Sequence, residues 1–345
     1  MGRLMALSMA QENYSVEVFE RGDETAKAAA AYAAAAMLAP LAESAITELS
    51  VVKMGKYSID RWKSITQGLA KKVFFQQNGT LILWHRQDSA EAKRFSGLLA
   101  KTSREMPELP AAQFVEGSEI RHLEPEIGPQ FSQSLYLPEE GQLDNRELLE
   151  ALLAEAQSLG VIFHWSCVRE IEDFSNGSQS WLIDCRGIGA KTSFDDLRGV
   201  RGEVIRIHAP EVNLSRPVRL IHPRYPIYIA PKENNLFVIG ATEIESEDLS
   251  PISVRSTLEL LSAAYTVHSG FAEARLLEAT TQCRPTLKDN MPLIEQSHPG
   301  VLKINGLYRH GFMISPAVMD AALEIVLQGK SQIADKLQIR YINKS

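Results

Sequence analysis

Cysteine is scarce here, with Cys167, Cys185 and Cys283 the only three in 345 residues. They lack the paired short spacings of a metal site and are too few for a disulfide framework. No apolar run is long and uncharged enough to cross a bilayer. An excess of positive charge is missing too: 36 Lys and Arg stand against 43 Asp and Glu. The signs are interspersed, which excludes a basic stripe for nucleic acid. The opening MGRLMALSMAQENYSVEVF has one early Arg and a short apolar run, but not the long apolar core of a signal peptide. No internal repeat or low-complexity linker divides the chain. These absences leave an expectation of a soluble cytoplasmic enzyme. Its 45% hydrophobic content and its length suit two or three domains.

What is present alternates helix-like and strand-like segments. Arg3 to Gln11 is apolar at helical spacing, and Ser15 to Phe19 alternates like a strand. Ala26 to Pro40 reads as an Ala-rich helix on propensity. Its small side chains equally suit a backbone that approaches a ligand closely, and composition leaves both readings open. Ser44 to Trp62 looks helical. Val73 to Leu83 reads as two strands about Asn78-Gly79, a hairpin turn signal. A charged amphipathic helix spans Ala90 to Thr102, and Pro107 to Gln133 reads as irregular. Asp144 is a suitable N-cap for a helix from Asn145 to Leu159, closed by Gly160. VIFHWS, VREIED and SWLIDCRG are strand-like, as are Glu203 to Ile207, Ile227 to Ala230, Phe237 to Ile239 and Val301 to Ile304. Helices are expected over Ser253 to Thr266 and from about Ala317 to Leu327. The alternation predicts an α/β nucleotide-binding part interleaved with a strand-rich part.

A dinucleotide-binding unit runs strand, G-x-G-x-x-G, helix, strand, then an acidic residue. The first helix and strand here end in Glu20, placed to accept bonds from the adenosine ribose hydroxyls. Gly2 falls at the motif's last glycine, where it would allow close packing of helix on strand. The first strand and the other two glycines are not in the sequence, and a clipped or misassigned start is the expected reason. The competing reading is a binding or scaffold protein that has lost tight flavin binding, since those glycines would hold the pyrophosphate.

Five separated segments decide for flavin. VEVFERG, AAAAMLAP, GQLDNRELLEALLAEAQSLGV, RYPIYIAPKENNLFVIGATE, and the pair QCRPTLKDNMPLI with NGLYRHGFMISPAV occur in the order of one known family. The chain resembles the glycine oxidase branch, thiamine-biosynthesis type, of the D-amino-acid oxidase superfamily. The resemblance implies a Rossmann-like FAD-binding domain interleaved with an antiparallel-sheet substrate domain, as in glutathione reductase. The expected division gives 1–43, 137–200 and 271–345 to the FAD domain, with 44–136 and 201–270 to the substrate domain.

By the same resemblance FAD meets Gly2, Glu20 and Arg21, with Val168 near the adenine. The flavin lies along Ala35, Ala36, Met37 and Leu38, where Ala36 replaces the family's Gly. Gly306, His310, Gly311, Phe312 and Met313 form the turn facing the ring, and no metal is expected. Arg284 would anchor the substrate carboxylate with its planar fork. Tyr228 would assist it or close the pocket, and Arg309 would sit near the amino end. Pro226 and Glu243 stand where relatives carry His and Met, which leaves the substrate open. No general base is needed if the amine binds neutral. His310 reads as a structural donor, and His208 and His222 as surface or core residues. Cys283 reads as buried and inert, with covalent flavin attachment the alternative. The implied reaction is FAD-dependent oxidation of glycine or a similar small amine to an imine or 2-oxo acid, ammonia and peroxide. The acceptor would be O2 or a quinone, and the enzyme a homo-oligomer. D-amino-acid or sarcosine oxidation is the alternative.

Overall fold

A computed structural model describes residues 1–174, 180–223 and 226–344. Helix Gly2–Gln11 buries Leu4, Met5 and Leu7 against Leu148 and Leu152 of helix Asn145–Ser158. Asp144 caps the second helix as expected, accepting from the backbone N–H of Arg146 at 2.8 Å and of Glu147 at 3.1 Å. Gly160 ends that stretch in the left-handed region at φ +85°. Strand Glu17–Phe19 pairs in parallel with Ile162–His164, the parallel contact a dinucleotide-binding unit requires.

The largest sheet has eight strands. In spatial order they are Arg275–Thr286, Arg198–His208, Leu236–Gly240, Ile227–Pro231, Val218–Ile221, Thr80–Trp84, Gln133–Leu137 and Gln113–Glu116. Strand Arg275–Thr286 pairs along its length with Arg198–His208 and so belongs to this sheet. The period-two pattern sorts its faces. Ile227, Ile229 and Phe237 pack on helix Val254–Val267, while Tyr228 and Ala230 turn toward Ala33 and Ala35. Three smaller sheets complete the fold, one of them joining Met37–Leu38, Gly141–Leu143 and Phe75–Gln76.

Helix Gly311–Gln328 runs through the largest core and is apolar nearly all round. Against the expectation of no such run, Tyr308–Gln328 is long and apolar enough for a membrane span, yet 72% of its most apolar part is buried inside the protein. Pro316 lies within it, and its missing N–H frees the carbonyl four residues earlier. That carbonyl, of Phe312, accepts from Trp62 Nε1 at 2.6 Å, so tertiary structure repairs the local defect.

Several expectations are corrected. The turn at Asn78-Gly79 forms, with Gly79 at φ +85°, but its flanks are not a hairpin. Phe75–Gln76 pairs with Gly141–Leu143, whereas Thr80–Trp84 pairs with Gln133–Leu137 and Val218–Ile221. Pro107 to Gln133 is not irregular throughout: it holds strand Gln113–Glu116 and helix Ser118–Leu123. VREIED contains the short helix Ile171–Asp173 in place of a strand, closed by a capping box between Glu170 and Asp173. The last long helix starts at Gly311, six residues before the expected Ala317. Arg224 and Tyr225, at the head of RYPIYIAPK, lie outside the described residues.

Candidate active site

A cavity of about 1210 Å³ lies between the parallel strand pair and the inner face of the eight-stranded sheet. It exceeds the 300 to 1,000 Å³ usual for a small-ligand pocket, which suits a dinucleotide and a substrate together. Gly2, Glu20, Arg21 and Val168 line it on the strand-pair side. Ala35, Ala36 and Met37 line its middle, with His310, Gly311, Phe312 and Met313 across from them. Tyr228, Arg284 and Arg309 close the sheet side. Leu38 and Gly306 do not line it. Leu38 points into the main core, and Gly306 packs against Leu287 and the Met291 carbonyl.

The Ala26 to Pro40 stretch takes the close-approach form. Before helix Pro40–Glu43 begins, only Ala30–Ala33 of it is helical, and Ala36 then enters the left-handed region at φ +54°. A residue with a Cβ held there costs roughly 1 to 2 kcal/mol relative to ordinary backbone, strain of a kind found at ligand-facing segments. Gly2 does not relieve a crowded helix–strand contact: a Cβ there would lie 3.7 Å from Cys185 Cβ, an ordinary approach.

The cavity suits an anionic dinucleotide. The helices Gly2–Gln11 and Gly311–Gln328 both begin on it without a side-chain cap, leaving N–H donors for a ligand. Glu20 offers a carboxylate, of which Oε1 accepts the Gly22 N–H at 2.8 Å.

Tyr228 and Arg284 enter the cavity from the same sheet, on strands separated by Arg198–His208 and Leu236–Gly240, and Arg309 joins them from the short helix Tyr308–His310. Tyr228 stands directly across from Gly240 on one side and from Arg219 on the other. Gly202 on the next strand leaves the space Arg284 occupies, since a Cβ there would be 2.5 Å from the guanidinium. A Cβ at Gly240 would likewise come within 2.8 Å of the Tyr228 hydroxyl. Arg284 Nη2 donates to Thr242 O at 3.0 Å and Nη1 to Arg201 O at 3.3 Å. Among the described residues it has no carboxylate partner. Burial pulls its pKa down, but a guanidinium remains charged. Burial pushes the Tyr228 hydroxyl up, against the pull of Arg284, so it stays protonated.

Arg309 differs. Its Nε lies 3.1 Å from Glu43 and its Nη1 donates to Glu243 at 2.6 Å. Arg219 also donates to Glu43, at 2.7 Å. Burial pushes the Glu43 carboxyl up, but Arg309, Arg219 and His310 outweigh it and hold the group well below the usual carboxylate range. His310 is buried, which pushes its pKa down to about 4 against the pull of Glu43, so it is neutral near pH 7. Tyr308, strained at φ +49°, donates its hydroxyl to Glu243 at 2.5 Å. Glu43 carries no signal in the sequence, where it is one more surface-type acid after an Ala-rich run. Glu243 stands out in the sequence only as a departure from the family's Met. Cys283 lies one residue from Arg284, on the strand's other face, with Sγ toward Ser246 O at 3.7 Å. Burial raises its pKa.

A large cavity between a parallel strand pair and a mixed eight-stranded sheet, with two uncapped helix N-termini on it and Arg284 the sheet-side arginine without a carboxylate partner among the described residues, is the architecture of a nucleotide-binding protein. Residues 1–322 match the family of FAD dependent oxidoreductases called DAO. The chain belongs to that family, and its cofactor is FAD. It is 36% identical over 331 residues to ThiO of Rhizobium etli, a protein named for thiamine biosynthesis; the match covers 96% of this chain and 95% of that one. The fold is shared with glycine oxidase from Geobacillus kaustophilus, at TM-score 0.78 and 21% identity over 96% of this chain and 93% of that one. Glycine oxidase from Bacillus cereus has TM-score 0.80 at 18% identity, covering 96% of both chains.

Proposed function

We propose that this oxidoreductase oxidises the Cα–N bond of glycine or a similarly small amino acid or secondary amine. The observation that carries the reading is Arg284, a cavity-facing guanidinium bonded only to backbone carbonyls, beside two arginines already neutralised by carboxylates. One uncompensated fork matches one substrate carboxylate. Tyr228 remains protonated beside it and donates to the same carboxylate. Pro226 and the Glu243–Tyr308–Arg309 cluster bound the space left for the amine and side chain.

Bound FAD would supply the two-electron acceptor for the hydride leaving Cα, with O2 or a quinone as the final acceptor. Loss of that hydride and of a proton from nitrogen would leave a C=N bond, which water would hydrolyse to a 2-oxo acid and ammonia. The chain holds the reacting carbon in place and excludes water. His310, neutral and buried, orients without exchanging a proton. Gly2, Glu20, Arg21 and Val168 are assigned to the adenosine and pyrophosphate. Ala35, Ala36, Met37 and the Gly311 to Met313 amides are assigned to the ring, where helix N-terminal donors favour negative charge. A place in thiamine biosynthesis rests on the likeness to ThiO.

The test is anaerobic mixing of the purified yellow protein with glycine, sarcosine and D-alanine. Bleaching by glycine, and peroxide release in air, are the expected results. Faster bleaching by sarcosine or D-alanine moves the substrate to the alternative class, and no bleaching by any small amine overturns the proposal.

A further inference from the structure

Lys232 opens the turn between strands Ile227–Pro231 and Leu236–Gly240, where its N–H donates to Leu236 O at 2.7 Å. Its side chain runs inward and the residue is only 7% exposed. Nζ donates to Ala35 O at 2.9 Å, Leu143 O at 2.8 Å and Gln142 Oε1 at 3.0 Å. An ammonium has three donors, and all three are used. None goes to a carboxylate. The charge of Asp144 acts on it, but that carboxylate is bonded to Arg206 at 2.8 Å. Burying a cation on neutral acceptors is costly, and burial pulls the Lys232 pKa down to about 7. A local turn has no need of such an arrangement.

What the ammonium holds is the stretch lining the cavity's middle. Ala35 supplies one acceptor, Ala36 is strained at φ +54°, and the Ala36 carbonyl accepts the Leu143 N–H at 3.1 Å. Lys232 therefore ties the eight-stranded sheet to this stretch at Ala35 and to strand Gly141–Leu143, which pairs with it. We propose that Lys232 is the positioning residue for the flavin-facing segment Ala35 to Met37, and that its water-shielded charge favours the electron-rich state of the bound cofactor. The proposal rests on the assignment of that segment to the flavin ring.

The experiment compares wild type, K232M, K232Q and K232R with A34W, which fills the cavity side of the same stretch. Apoprotein is titrated with FAD, and the two-electron midpoint potential of each holoenzyme is measured. K232M and K232Q are expected to bind FAD about tenfold more weakly and to shift the reduction equilibrium about tenfold toward oxidised flavin, roughly 30 mV. K232R, which keeps the charge, recovers the potential. If K232M does not fold, K232Q decides the matter, because it stays polar and carries no charge. A34W that blocks FAD, with K232Q unchanged in affinity and potential, overturns the role of Lys232 alone. A34W that binds FAD normally overturns the flavin-facing assignment, and the proposal with it.

Discussion

Replacing Gly202 with alanine tests whether the site depends on the space that glycine leaves. The new Cβ would lie 2.5 Å from Cζ and Nη2 of Arg284 and 2.7 Å from Nη1. Non-bonded contacts of this kind relax to about 3.5 Å, so the guanidinium must retreat by roughly 1 Å. It can do so, because it is the end of a flexible side chain. The retreat breaks its bonds to Thr242 O and Arg201 O, at about 1 kcal/mol each. Against that, Gly202 does not sit at positive φ, and alanine there recovers about 0.4 to 1 kcal/mol through the unfolded state. Stability should therefore fall by about 1 to 1.6 kcal/mol. Catalysis should suffer far more, since a 1 Å misplacement of an anchoring group can cost about 10²-fold. The assay pairs a denaturant melt with kcat/KM for glycine and inhibition by acetate, a bare carboxylate. The expected result is a modestly lowered melt, kcat/KM down about 10²-fold and acetate inhibition weakened in step. A G202A enzyme within twofold of wild type in kcat/KM would refute the placement of the carboxylate on Arg284.

Three further outcomes follow from the same geometry. D144A removes the cap of helix Asn145–Ser158 and strips Arg206 of its buried partner; breaking such a pair costs about 3 to 5 kcal/mol, readable as a lowered denaturation midpoint. Glu140, whose Oε1 accepts the Ala42 N–H at 2.7 Å, is pushed by burial from 4.5 up to about 7. The native state thus holds this proton more tightly than the unfolded chain does. Its contribution is fully present below about pH 4.5 and is lost as pH rises through about 7, a change of about 3 kcal/mol. E140Q should flatten that limb of the stability–pH curve, and an unchanged limb would assign it to other groups. Because Cys283 Sγ faces Ser246 O on the strand face opposite Arg284, acid denaturation should release all flavin into the supernatant. Yellow colour left on the precipitated protein would contradict this.

Locally encoded features were legible in the residues themselves. Asp144 caps its helix through neighbours two and three positions away, and the 3.6-residue apolar period of the long helices needs no distant partner. Tyr228, Arg284 and Glu20 stand in the family's motifs, and all three line the cavity. The sequence by itself thus determined the periodicities, the turns and the residue types able to bind a flavin and a carboxylate. Tertiary structure decided the partners. Asn78-Gly79 turns as its residues dictate, yet its two flanks enter different sheets because their hydrogen-bonding partners lie tens of residues away. Glu43 becomes a buried, permanently charged group only because Arg219, 176 residues distant in sequence, and Arg309 converge on it. That convergence neutralises Arg219 and Arg309 and leaves Arg284 without a carboxylate partner among the described residues. No local pattern encodes such a distinction, because the charge available at a site depends on which opposite charges the fold brings within a few ångströms.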